Sequence, residues 1–200
     1  MSGKLVLIIG PSGVGKSVIL KSLRDRHGSS RLTTGSEFHF PRSATTRARR
    51  PGEGDDLYRF VSEEEFQTLL KQGKILEWAK VHGGGHYATL VDEITPFIDS
   101  GKIVVREVDV QGFDSIVKHP LFSGQPPTYR LQSIFILPES KEQLIAHIQK
   151  RAPMEQEELK RRLQSMEREL AYADRCTAQV KNVEGKLEGT LKEVEELISK

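Results

Sequence analysis

The chain has 200 residues and a net charge of +2, with 30 lysines and arginines against 28 aspartates and glutamates. That length suits one compact domain, or a core with one or two inserted subdomains, and the near-neutral balance argues against a general nucleic-acid binder. A single cysteine, Cys176, excludes an internal disulfide and a cysteine-held metal cluster, and no apolar run is long enough to span a bilayer or form a signal core. The expectation is a cytoplasmic protein working on small molecules, with no nucleic acid, membrane or obligate protein partner.

In chain order, Lys4 to Ile9 is a continuous apolar run rich in β-branched residues and predicts a central parallel strand buried on both faces. Gly10 to Gly15 breaks it, and a helix is predicted over 17–27. From about 40 to 91 the chain is turn-rich and polar, with one helix. There Ser62-Glu-Glu-Glu65 reads as a capping box, Phe66, Leu69 and Leu70 share a face, and Gly73 is the stop. This segment reads as an insertion. Ile103 to Val110 and Leu131 to Leu137 predict two more buried strands, and 179–183 a last one. Helices are predicted over 140–151 and over 155–173, where Leu159, Leu163, Met166 and Leu170 form a stripe. Leu187, Leu191, Val194 and Ile198 mark a third, and the 140–151 helix carries Leu144, Ile145 and Ile148; all three stripes read as core packing. Strands alternating with helices give an α/β fold around a parallel sheet.

Gly10-Pro-Ser12-Gly13-Val14-Gly15-Lys16-Ser17 matches G-x-x-x-x-G-K-[ST] and lies between a buried strand and a helix, as a phosphate loop requires. Glycines keep side chains out of the way, so successive N–H groups and the helix N-terminus converge on a phosphate. Lys16 would reach the β- and γ-phosphates and the Ser17 hydroxyl would ligate Mg2+. This points to a nucleotide without fixing the reaction. Farther on, Arg42, Arg47, Arg49 and Arg50 fall within nine residues free of acids, and an acidic stretch follows from Glu53 to Asp56. Arginines three apart beside Ser and Thr can fork onto one small anion; from the residues alone, a solvated basic loop stands beside that reading.

The loop GPSGVGKS, SATTRARRPGE from Ser43, YRFVSEEEF from Tyr58, ILEWA from Ile75, EVDVQG from Glu107, IFILP from Ile134, and ELAYAD from Glu169 together resemble the guanylate kinase family nearly end to end. The resemblance implies transfer of the γ-phosphate of Mg·ATP to GMP, and to dGMP. It implies a P-loop NTPase-type sheet whose core is 1–39, 93–139 and 174–200, an NMP-binding subdomain at 40–92 and a helical lid at 140–173. It also implies roles. Arg47 and Arg50 would clamp the GMP phosphate with help from the Tyr58 and Tyr87 hydroxyls. Glu77 would accept from guanine N1–H and the exocyclic amine, and Ser43, Thr89 and Asp109 would complete the base pocket. Ser12, Gly13, Val14, Gly15, Lys16, Ser17, Val18 and Asn182 would line ATP. Arg151 and Arg162 would close over it as lid arginines, catalytic together with Lys16 and Arg47.

The chain departs from the family pattern in several places. Val18 stands where threonine is usual, His147 where a lid arginine is often found, Ala152-Pro153 for Gly-Thr, and Glu107 for the first aspartate of Asp-x-Asp. One residue is missing before Tyr58, Gly83-Gly-Gly-His86 is one longer than usual, and Lys181 precedes Asn182. These changes bear on rate and geometry more than on reaction type. The rival of a different class is a guanylate kinase-like scaffold module that binds phosphopeptides and has lost catalysis; such modules usually lack the intact phosphate loop present here.

Overall fold

The computed structural model describes residues 3–28, 36–81, 84–151 and 156–200. In chain order, β1 (Lys4–Ile9) leads through the phosphate loop into α1 (Lys16–His27). Then come β2 (Phe38–His39), β3 (Ser43–Thr45), β4 (Tyr58–Phe60), α2 (Glu63–Lys71), β5 (Ile75–Lys80) and β6 (His86–Leu90). They are followed by α3 (Thr95–Asp99), β7 (Ile103–Glu107), α4 (Val110–Lys118), α5 (Pro120–Ser123) and β8 (Arg130–Pro138). The chain continues with α6 (Lys141–Arg151), α7 (Gln156–Leu170), β9 (Ala178–Asn182) and α8 (Leu187–Ile198). A five-stranded sheet runs β2-β7-β1-β8-β9, with β2–β7 and β8–β9 parallel, and a second, four-stranded sheet runs β4-β3-β6-β5. The expected α/β fold with a parallel sheet is what forms. Every residue of β1 is buried, as its unbroken apolar run requires.

The chain divides into two compact units. One comprises Met1–Leu5, His27–Arg106 and Gln111–Leu131; the other comprises Val6–Arg26, Glu107–Val110 and Gln132–Lys200. The first contains the four-stranded sheet. Its core gathers Ala44, Val61, Phe66, Leu69, Ile75, Ala88 and Leu90, so α2 covers one face of the sheet. Ser62 caps α2 by accepting from the Glu65 amide at 3.0 Å, while the Glu65 carboxylate takes Arg59 at 3.0 Å, a partner the capping-box pattern does not foresee. In the second unit, α8 buries Thr190, Leu191, Val194 and Ile198.

Several expectations are corrected. The strand predicted over 103–110 stops at Glu107, because Val110 opens α4, and α4 buries Gly112, Phe113 and Ile116. The segment 40–91 is not mainly turns: four of its stretches pair into a sheet. The helix predicted over 155–173 is α7 followed by a short 3-10 turn, Ala173–Arg175, and of the α7 stripe only Met166 is buried.

Candidate nucleotide-binding residues

The phosphate loop lies in the second unit. Lys16 folds back over the loop, its Nζ donating to the Gly10 and Pro11 carbonyls at 2.7 and 3.1 Å. Gly15 has φ +97°, and a Cβ there would come within 2.6 Å of Asn182 Nδ2. That amide donates to the Val14 carbonyl at 2.8 Å, and Thr190 Oγ1 donates to Asn182 Oδ1 at 3.1 Å. Asn182 therefore bolts the loop to β9 and α8, and glycine at 15 is what lets it approach. Val18 follows on α1 and is 54% exposed.

Two carboxylates meet this loop. Glu107, at the end of β7, accepts from Ser17 Oγ at 3.1 Å. Glu169, near the end of α7, accepts from the Ser12 amide at 3.0 Å and from Ser165 Oγ at 2.8 Å. His147 on α6 places Nδ1 3.4 Å from the Gly13 carbonyl and Nε2 3.7 Å from Glu184. Arg162 on α7 is exposed and donates to Glu158 at 2.9 Å, one helical turn earlier. Arg151 ends α6; its side chain, Ala152-Pro153 and Gly83 lie outside the described residues. Among the described residues no group of three or more His, Cys, Asp or Glu could hold a metal. The oxygen pair of Ser17 and Glu107 suits a hard ion such as Mg2+, which keeps waters and takes its other ligands from nucleotide phosphates.

The first unit holds the other expected residues. The pairings Ser43↔Tyr58, Thr45↔Phe60, Thr45↔Tyr87 and Glu77↔Thr89 place these side chains on one face of the four-stranded sheet, opposite the face that Ala44, Ala88 and Leu90 turn toward α2. Glu77 reaches that face through a bulge. Ile75 pairs with Leu90, and two residues later Glu77 pairs with Thr89, so Leu76 is the extra residue. Without it, Glu77 would oppose Ala88. Thr89 is fully buried and donates its hydroxyl to Glu77 Oε1, beside which Arg106 Nη2 lies at 3.8 Å.

Arg47 leaves β3 over the same face. Its Nε donates to Tyr87 OH at 2.8 Å, Nη1 to Glu53 Oε2 at 2.8 Å and to the Ala48 carbonyl at 2.9 Å, and Nη2 to Glu53 Oε1 at 2.5 Å. The guanidinium carbon stands 4.9 Å from the centre of the Tyr58 ring, which meets Tyr87 edge-on at 5.8 Å. Gly85 makes room for Arg47: a Cβ there would lie 2.9 Å from Arg47 Cβ. The Arg47 bonds, with the Arg50 amide, hold the Glu53 carboxyl down to about 2, and Glu53 in turn raises Arg47. The Arg50 side chain is exposed. Arg49 pairs with Asp55 and lies over Phe60 at 4.2 Å.

Arg42, read with the arginine cluster, forms a forked pair with buried Glu93, Nη2 to Oε1 at 2.7 Å and Nε to Oε1 at 3.2 Å. Asp109 is exposed and belongs to the phosphate-loop unit. Glu53, Glu107 and Glu169 sit inside sequence motifs whose spacing gives no sign of these contacts, and nothing local in the sequence marks Arg106.

A model of the guanylate kinase family matches residues 2–200. The guanylate kinase of Trichormus variabilis is 38% identical over 182 residues, covering 90% of this chain and 83% of that protein. That of Prochlorococcus marinus subsp. pastoris is 36% identical over 197 residues, covering 98% and 96%. The crystal structure of guanylate kinase from Anaplasma phagocytophilum is similar in fold, with a TM-score of 0.64 at 24% identity, covering 99% of this chain and 85% of that one. No helix among the described residues is long and apolar enough to cross a membrane.

Proposed function

The chain belongs to the guanylate kinase family, and we propose that it moves the γ-phosphate of Mg·ATP onto GMP, and onto dGMP, giving ADP and GDP. The observation that carries the assignment of the acceptor side is the sheet face on which Glu77, Thr89, Tyr58 and Tyr87 stand together with Arg47 above them. A carboxylate facing guanine N1–H and its amine selects guanine over adenine, which has a lone pair at N1. Arg47 and Arg50, with the two tyrosine hydroxyls, hold the GMP phosphate, and Ser43 and Asp109 border the base.

On the donor side, the loop Ser12 to Val18 and Asn182 seat ATP. Lys16 exchanges its present carbonyl partners for the β- and γ-phosphates. Ser17 and Glu107 would hold Mg2+, which would supply charge neutralisation at the phosphates. An oxygen of the GMP phosphate attacks the γ-phosphorus, the bond from that phosphorus to the β–γ bridging oxygen breaks, and ADP leaves with the electron pair. The acceptor is already an anion, so no general base is needed; orientation and positive charge do the work. The segment 40–92 is proposed to carry GMP. The segment 140–173 is proposed as a lid that brings Arg151 and Arg162 to the transferring phosphoryl group and excludes water.

The test is an ADP-release assay with Mg·ATP, offering GMP, dGMP, AMP, CMP and UMP separately. Turnover with GMP and dGMP, abolished in Lys16→Ala and sharply weakened in Arg47→Ala, is expected. A folded protein that turns over none of the five would overturn the proposal.

A further inference from the structure

Arg106 occupies the end of β7 with its side chain 15% exposed, and its Nη2 stands 3.8 Å from Oε1 of Glu77, whose side chain is 12% exposed. Thr89 Oγ1 donates to the same Oε1. At 3.8 Å the guanidinium and the carboxylate form an ion pair, side by side. A guanidinium only donates, and a carboxylate only accepts. The pair thus sets a donor next to an acceptor.

We infer that Arg106 is a specificity-determining residue, donating to the 6-oxo group of guanine while Glu77 accepts from N1–H and the 2-amino group. This rests on the reading of Glu77 as the base-binding carboxylate. The order acceptor, donor, donor along that guanine edge is complementary to Arg106 followed by the two oxygens of Glu77. Adenine offers an amino donor to Arg106 and a lone pair to Glu77, so like faces like at both positions. Hypoxanthine keeps the first two matches and lacks the amine. Uracil keeps them as well but sets a carbonyl oxygen against the carboxylate. Glu77 alone reads the donor half of the edge; Arg106 adds the acceptor half, and arginine is the side chain whose fixed fork suits a purine carbonyl.

The experiment measures kcat and KM for GMP, 6-thio-GMP and IMP with the wild type, Arg106→Met, Arg106→Lys and Glu77→Gln. 6-Thio-GMP retains N1–H and the amine but replaces the oxygen by sulfur, a poor acceptor. The wild type is expected to prefer GMP to 6-thio-GMP. Arg106→Met is expected to raise the KM for GMP by about ten- to a hundredfold and that for 6-thio-GMP much less, so that the preference collapses while the KM for ATP holds. Arg106→Lys should retain part of the preference, and it carries the test if the methionine variant does not fold. An equal rise for both nucleotides would reduce Arg106 to a support for Glu77 and overturn the inference, as would an unchanged KM for GMP. Failure of the underlying reading looks different: Glu77→Gln would then leave the KM for GMP untouched.

Discussion

Glu53 holds Arg47 much as a phosphate would, with one carboxylate oxygen on each terminal nitrogen of the guanidinium. With Tyr87 on Nε and Ala48 on Nη1, four of the five N–H donors of Arg47 are engaged. On the proposed role of Arg47, an incoming GMP phosphate competes with Glu53 for the fork. Glu53→Gln keeps an oxygen for the Arg50 amide and removes the charge, so the KM for GMP is expected to fall by about two- to fivefold, the scale of a single ion pair in contact with solvent. Steady-state kinetics with GMP varied at saturating ATP checks it; a rise in KM would mean that the pair organises the loop more than it competes.

The same pair sets a pH dependence of stability. The Glu53 carboxyl is held down to about 2 from an ordinary 4.5, first by its bonds from Arg47 and then by the Arg50 amide. A depressed carboxyl stabilises the folded state above its unfolded value, and that stabilisation disappears as pH falls through the folded value. The stability difference between wild type and Glu53→Gln should be constant above about pH 5 and shrink between pH 4.5 and 2. Urea denaturation of both proteins across that range reads it directly.

Arg42 is expected to behave differently from its neighbours in the cluster. Its fork is committed to Glu93, which is 2% exposed. Arg42→Met takes the guanidinium away from a buried carboxylate and should cost about 3–5 kcal/mol of stability. The KM for GMP of the folded fraction should stay within twofold (roughly the limit expected of a site that touches no substrate). Thermal melts beside kinetics separate the two effects, whereas an Arg47 variant should show the reverse pattern.

Gly15→Ala is expected to fail at the loop. The new Cβ meets Asn182 Nδ2 at 2.6 Å on a backbone at φ +97°, so either the Asn182 bond to Val14 breaks or the loop distorts. A loss of about 1–3 kcal/mol with a raised KM for ATP and an unchanged KM for GMP should follow, measured by denaturation and by varying each substrate in turn.

Glu169 ties the end of α7 to the phosphate loop through the Ser12 amide. Arg162 lies on the same helix, so this bond anchors the proposed lid arginine's helix at the donor site. Glu169→Ala is expected to raise the KM for ATP by about three- to tenfold, with Glu169→Gln intermediate because it keeps a carbonyl acceptor. Isothermal titration with ATP gives the same comparison without turnover.

What was legible in the sequence were features with a local signature. The buried strand Lys4–Ile9, the loop that follows it, the Ser62 cap and the apolar side of α8 each follow from spacing or composition. The four-stranded sheet left no such trace. Its strands are three to six residues long, too short for the alternation of Ser43, Thr45, Tyr87 and Thr89 with Ala44, Ala88 and Leu90 to stand out. The bulge at Leu76 shifts the pattern by one more residue. Val108, in the link after β7, and Val110, the first residue of α4, extend the apolar run of β7 and hide the break between strand and helix. Arg42 could not be told from Arg47 because its partner Glu93 lies 51 residues away.

The β5–β6 hairpin also works as a gauge. Tyr87 and Thr89 point to one face two residues apart, a step of about 7 Å along a strand, and the paired positions Ala79 and Glu77 repeat that step on the other arm. The interval is fixed by backbone hydrogen bonds, so no side-chain adjustment can stretch it. A ligand gripped at both marks must carry its anion at a set offset from its base, and a nucleoside without phosphate engages one mark only. Slipping the register by one residue would not shorten the gauge; it would turn both marks toward α2 and erase the scale.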